Sequence, residues 1–196
     1  ESWSRSLTAL LAAPSTSATP ETFSSVLRAA RTLNGQPAVR EALLKFARAQ
    51  ALPAPLRLSA FAALPGGWSA NDADLAFLLT GLRDRQGSAA EALSKAALEP
   101  HHLDQVARTL TEIGPLELNR VLPAFERQPS ANAGQSLLTA LSQSKARTSI
   151  RPETLRATLK GYPAEIRAQG DRFLETLDTG LAGRRKRLEK IRSELP

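Results

Sequence analysis

His101 and His102 are the only imidazoles in the chain, so a histidine base or an imidazole metal ligand has to come from this pair. They follow Pro100 at a helix start, where neighbouring side chains diverge by about 100° around the axis. That divergence opposes joint chelation of one ion, and no acid or third histidine follows at ligand spacing. The pair therefore reads as two exposed first-turn histidines. The absence of Cys removes thiol nucleophiles, disulfides, thiolate metal sites and Cys-attached haem from these residues, and it fits either redox compartment. Asp72, Asp74, Glu21 and Glu153 fall in first helical turns, where the positive end of the dipole stabilises them, and Asp104 and Glu117 lie near other helix starts. None of these acids pairs with another as a general acid and base.

The run Leu64-Pro65-Gly66-Gly67-Trp68-Ser69 lacks the glycine spacing of a phosphate cradle and reads as a turn. Trp68 in that turn is either an exposed recognition residue or a ring that packs the loop onto a helix pair, the commoner duty of a turn tryptophan. Trp3 carries the same two readings. The remaining candidate is basic: Arg184, Arg185, Lys186, Arg187 and Lys190, with Arg192, stand against Glu189 and Glu194 and supply +4 of the net +7. This run is either a contact for an acidic partner or the solvated side of an amphipathic helix. Leu181, Leu188, Ile191 and Leu195 continue an apolar stripe past it, which favours the second reading and calls for a partner surface over the stripe. Gly180 and Gly183, each costing about 1 kcal/mol relative to Ala in a helix, place a bend just before it.

The elements that must position these residues are helices. A content of 42% hydrophobic and 23% charged residues is enough to bury a core, while aromatic residues make up only 5%. No window approaches the eighteen or so apolar residues of a membrane span, and no leader of secretory type is legible, which in a chain beginning at Glu1 says little about location. Apolar residues recur at helical spacing between strong punctuation. Thr19-Pro20-Glu21 opens a stripe of Phe23, Val26, Leu27, Ala30 and Leu33 that ends at Asn34-Gly35, and Pro37 opens its partner, with Val39, Leu43, Phe46, Ala47 and Gln50 on one side. Further pairs run over 55–64 and 71–83, 88–98 and 100–113, and 115–127 and 130–143, with a bend expected at Pro123. A fifth begins at Arg151-Pro152-Glu153, turns at Gly161-Tyr162-Pro163 and continues as a long helix towards Leu195.

Pairs starting near 20, 54, 88, 115 and 152 have a period of about 27 to 37 residues, within the range of stacked helical repeats. The expected fold is all-α: an α-solenoid of HEAT/armadillo-like pairs wound as a right-handed superhelix over 19–196, with a cap helix and linker over 1–18. Stability in such a stack is nearly nearest-neighbour in character.

Several strings carry a resemblance. Phe77-Leu78-Leu79, Gly114-Pro115-Leu116-Glu117-Leu118, Ser149-Ile150-Arg151-Pro152-Glu153-Thr154-Leu155, Tyr162-Pro163-Ala164-Glu165-Ile166 and the closing Leu/Arg-rich helix resemble the HEAT-like region of large haem-binding proteins of planctomycetes and verrucomicrobia, often labelled membrane-bound dehydrogenases. In that family a β-propeller precedes the helical region and a c-type cytochrome domain with C-x-x-C-H follows it. The resemblance implies a non-catalytic scaffold between the two, in an exported or periplasmic protein, with haem c in a neighbouring domain and no cofactor or metal here. Its expected partners are domains of the same polypeptide or other proteins. The alternative is nucleic-acid binding by a basic repeat surface, as in DNA alkylation-repair proteins with HEAT-like repeats. That needs Lys and Arg gathered on one concave face, which the even scatter of Arg28, Arg48, Arg83, Arg108, Arg127 and Arg156 does not demonstrate. An enzyme in its own right would need a catalytic constellation, and none is legible.

Overall fold

The computed structural model describes residues 2–12 and 20–178, and nearly all of it is helical. In chain order the helices are α1 (Ser2–Ala12), α2 (Pro20–Leu33), α3 (Pro37–Arg48), α4 (Ala54–Ala63), α5 (Asp72–Arg83), α6 (Gly87–Lys95), α7 (Pro100–Thr109), α8 (Pro115–Val121), α9 (Ala131–Gln143) and α10 (Pro152–Leu159). A last helix, α11, is described over 164–178. No described helix is long and apolar enough to cross a membrane.

Local chemistry explains where these helices begin and end. Proline opens α3, α7, α8 and α10, where its fixed φ suits a first turn and its missing N–H costs nothing. Asn71 and Ser130 cap α5 and α9 by accepting from the backbone N–H of Asp74 and Ala133. α5 ends with Arg85 in the left-handed region (φ 58°), Arg85 N–H donating to Leu82 O and Gln86 N–H to Gly81 O. These two bonds satisfy the last carbonyls of the helix.

The bend expected at Pro123 is a change of helix type. α8 stops at Val121 and the chain continues as a 3-10 helix over Leu122–Glu126, because Pro123 has no N–H to continue the ladder. The expected helix over 88–98 is also shorter. After Lys95 the chain extends into β2 (Ala96–Ala97), which pairs in parallel with β1 (Trp68–Ser69). Gly67, at φ 83°, donates its N–H to Lys95 O at 2.7 Å and brings the two together. The glycine-rich turn is thereby clamped onto the following helix pair.

Packing follows an alternating rule. α4 lies against α2 and α6, α6 against α8 and the 3-10 segment, and that segment against α10. In the other set α1 packs on α3, α5 on α7, and α7 on α9. Most of these contacts join helices next but one in sequence, the consecutive α3 and α4 and α5 and α6 also pack together, and the buried residues form one cluster from Leu7 to Leu174. α1 belongs to it through Leu7 and Leu11. At the other end Gly134 of α9 has no room for a Cβ, which would sit 2.8 Å from Cδ1 of Tyr162.

The polar contacts obey the same rule. Asn34 Nδ2 donates to Ala63 O across 29 positions, Lys95 Nζ to Ala62 O across 33, and Ser136 Oγ to Asp104 Oδ1 across 32. Asn119 Nδ2 donates to Ser149 O across 30, Arg151 N–H to Asn119 Oδ1 across 32, and Tyr162 OH to Phe125 O across 37. These six bonds each span about one helix pair, while Arg57 Nε donates to Ala47 O across only 10 positions. The Arg31–Glu91 bond, across 60 positions, reaches one pair further. Burial pushes the Glu91 carboxyl up, but the Lys95 and Arg31 cations outweigh it and leave the group below its ordinary range.

Candidate functional site: an acid and two histidines at the α5–α7 junction

The first turn of α5 is held by a reciprocal cap. Asn71 Oδ1 accepts from Asp74 N–H at 2.8 Å, and Asp74 Oδ2 accepts from Asn71 N–H at 3.2 Å. Asp74 is buried and also takes a two-pronged contact from Arg48 of α3, whose NH2 nitrogen lies 2.7 Å from Oδ2 and whose Nε lies 3.1 Å from Oδ1. This ties the second helix of one pair to the second helix of the next and fixes the start of α5, where Asp72 stands. Asp74→Ala is expected to destabilise the fold by about 2 kcal/mol, since it removes a cap and the partner of a cation that remains half in water. Asp74→Asn should cost less. Urea midpoints of the two variants measure the difference.

Asp72 projects to solvent, and two rings from the first turn of α7 converge on it. His102 Nε2 lies 2.8 Å and His101 Nε2 3.2 Å from the same oxygen, Asp72 Oδ1. The ring centroids are 4.0 Å apart with the planes tilted by 54°. His102 is 2% exposed and His101 54%. The expectation of two exposed, divergent histidines is corrected here: adjacent Cα–Cβ vectors diverge, but both side chains lean towards the helix N-terminus and meet the acid of the preceding pair. The missing acid does not follow the histidines. It lies 29 and 30 positions before them, one helix-pair span, in the equivalent first turn.

The surrounding bonds set the proton positions. Glu99 N–H donates to His102 Nδ1 at 3.3 Å, so the neutral ring carries its proton on Nε2 and donates it to Asp72. His101 lies between two acids, with Nδ1 3.5 Å from Glu99 Oε2 and Nε2 facing Asp72. The His102 and then the His101 hydrogen bonds hold the Asp72 carboxyl below its ordinary range. As it stands, the cluster fastens α5 to α7 and leaves one imidazole and one carboxylate open to water.

Trp68 is 5% exposed and stacks on Phe61 of α4 with centroids 5.1 Å apart, so the reading of it as a surface recognition residue gives way to packing. Its Nε1–H is buried and meets no acceptor among the described residues. Arg184, Arg185, Lys186, Arg187 and Lys190 lie outside the described residues, as do the Gly180 and Gly183 bend and the side chain of Trp3. Of the scattered arginines, Arg48 binds Asp74, Arg83 lies against Glu112 and Arg156 against Asp171. Arg57 covers the Phe77 ring at 4.0 Å. These four cations are held by acids or a ring. Between α7 and α9 runs an open cleft of about 540 Å³, bordered by Asp104, Arg108, Thr111, Gln135 and Thr139. Sequence reasoning did not single it out, because its sides come from two helices of different pairs.

No protein-family model, curated protein or solved structure matches the chain.

Proposed function

We propose that the chain is a HEAT-like α-solenoid that serves as a non-catalytic structural and interaction scaffold. The observation that carries this reading is the spacing of the polar contacts between pairs. The bonds from Asn34, Asp72, Lys95, Asp104 and Asn119 each join positions 29 to 33 apart. A stack in which each pair touches the next favours such a recurring spacing, from which the Arg57–Ala47 bond across 10 positions, the Arg48–Asp74 bond across 26 and the Arg31–Glu91 bond across 60 depart. Such a stack offers extended side surfaces, of which the polar cleft between α7 and α9 is one.

The parent context rests on the sequence resemblance: a spacer between a β-propeller and a c-type cytochrome domain in an exported redox protein, with the basic final helix against a neighbouring domain. The nucleic-acid alternative needs cations gathered on one face, and of the scattered arginines Arg48, Arg83 and Arg156 face acids. The natural reading frame over about a hundred codons past Pro196 tests the redox context through the presence of C-x-x-C-H. Its presence supports the spacer role. A stop codon without it removes the haem context and leaves a free-standing scaffold, for which a salt-dependent binding titration with duplex DNA is the next measurement.

A further inference from the structure

We propose that Asp72, His101 and His102 form a binding site for a divalent transition cation of the Zn2+ class, clamping the first turn of α5 to the first turn of α7. One donor atom from each residue falls within a set whose members all lie within 4.8 Å of one another. Two imidazoles and one carboxylate form a borderline donor set that favours zinc, nickel or copper over calcium or magnesium. Both Nε2 atoms face the same oxygen, so an ion between the three groups replaces direct contacts of 2.8 and 3.2 Å with nitrogen–metal–oxygen bridges. The buried His102 supplies a positioned ligand. The exposed Asp72 and His101 can close on the ion and leave its remaining positions to water.

Binding requires one identifiable rearrangement. His102 now keeps its proton on Nε2 and accepts from Glu99 N–H at Nδ1. To ligate through Nε2 it gives that proton to solvent and takes one on Nδ1, and the Glu99 N–H loses this acceptor. The proton count on the ring is unchanged while its position moves. That relocation is a signature which a purely structural hydrogen-bonded cluster does not produce.

The chain has two His and no Cys, so an untagged protein contains no other imidazole or thiolate to bind the ion. Zn2+ alone, titrated against a chromophoric chelator, is expected to bind with one-to-one stoichiometry. His101→Ala and Asp72→Asn, both at exposed positions, are expected to weaken it at least about tenfold while retaining the helical circular dichroism. Long-range 1H–15N spectra of the imidazoles are expected to show the His102 proton on Nε2 without zinc and on Nδ1 with it. Zinc affinity equal in wild type and His101→Ala, or a His102 proton that stays on Nε2 at saturating zinc, would overturn the proposal.

Discussion

Phe61→Ala is expected to destabilise the fold by about 3–5 kcal/mol, the largest loss from any single substitution considered. Phe61 has no solvent exposure and sits on α4, which packs against α2, α3 and α6. Its ring stacks on Trp68 at 5.1 Å and lies 6.2 Å from Phe77, so truncation removes aromatic contacts as well as buried area. The cavity would open beneath the β1–β2 bridge, where backbone bonds hold the chain and limit collapse. The urea midpoint should fall with the slope unchanged, and Trp68 emission, isolated in a Trp3→Phe background, should move to the red. Phe61→Leu should cost less than half as much, because it conserves most of the volume.

At high pH the fold is expected to lose stability through a single group. Tyr162 is 3% exposed, and its hydroxyl donates to Phe125 O at 2.7 Å. Burial pushes its pKa up to about 12 from an ordinary 10.0. The sign follows from which state binds the proton: between these values the unfolded chain releases it while the folded chain keeps it, so stability falls as pH rises. The contribution is fully present below pH 10 and is lost on passing towards 12, with an upper limit of about 2.7 kcal/mol. Tyr162 is the only tyrosine in the chain, so tyrosinate absorbance reports it alone. Tyr162→Phe should abolish this alkaline loss and cost about 1–2 kcal/mol at neutral pH, because Phe125 O is left without a donor.

Much of the helical framework is legible in the residues. Pro37, Pro100, Pro115 and Pro152 mark helix starts, and Leu75, Leu78, Leu79 and Leu82 lie on the buried side of α5 as their spacing requires. Local chemistry sets these features, so local patterns reveal them. The misses are tertiary. The β1–β2 bridge forms because Gly67 meets Lys95 in the next pair, and neither two-residue segment has a strand pattern of its own. The pairing of Asp72 with His101 and His102 is invisible at motif range, because metal and catalytic motifs are read over a few residues while this contact spans a whole helix pair. The available signal was the spacing: the acid and the histidines lie 29 and 30 positions apart, in the first turns of α5 and α7. Glu117, read from the sequence only as an acid near a helix start, is buried.

Native-state hydrogen exchange on Phe61→Ala tests the stacked-pair claim most directly. Nearest-neighbour stability places the loss around the altered pair, so amides of α2 to α6 should open more readily while those of α9 and α10 keep most of their protection. A uniform fall in protection from α2 to α10, equal to the global loss, would mean that the chain unfolds as one closed unit and would contradict a stack of semi-independent helix pairs.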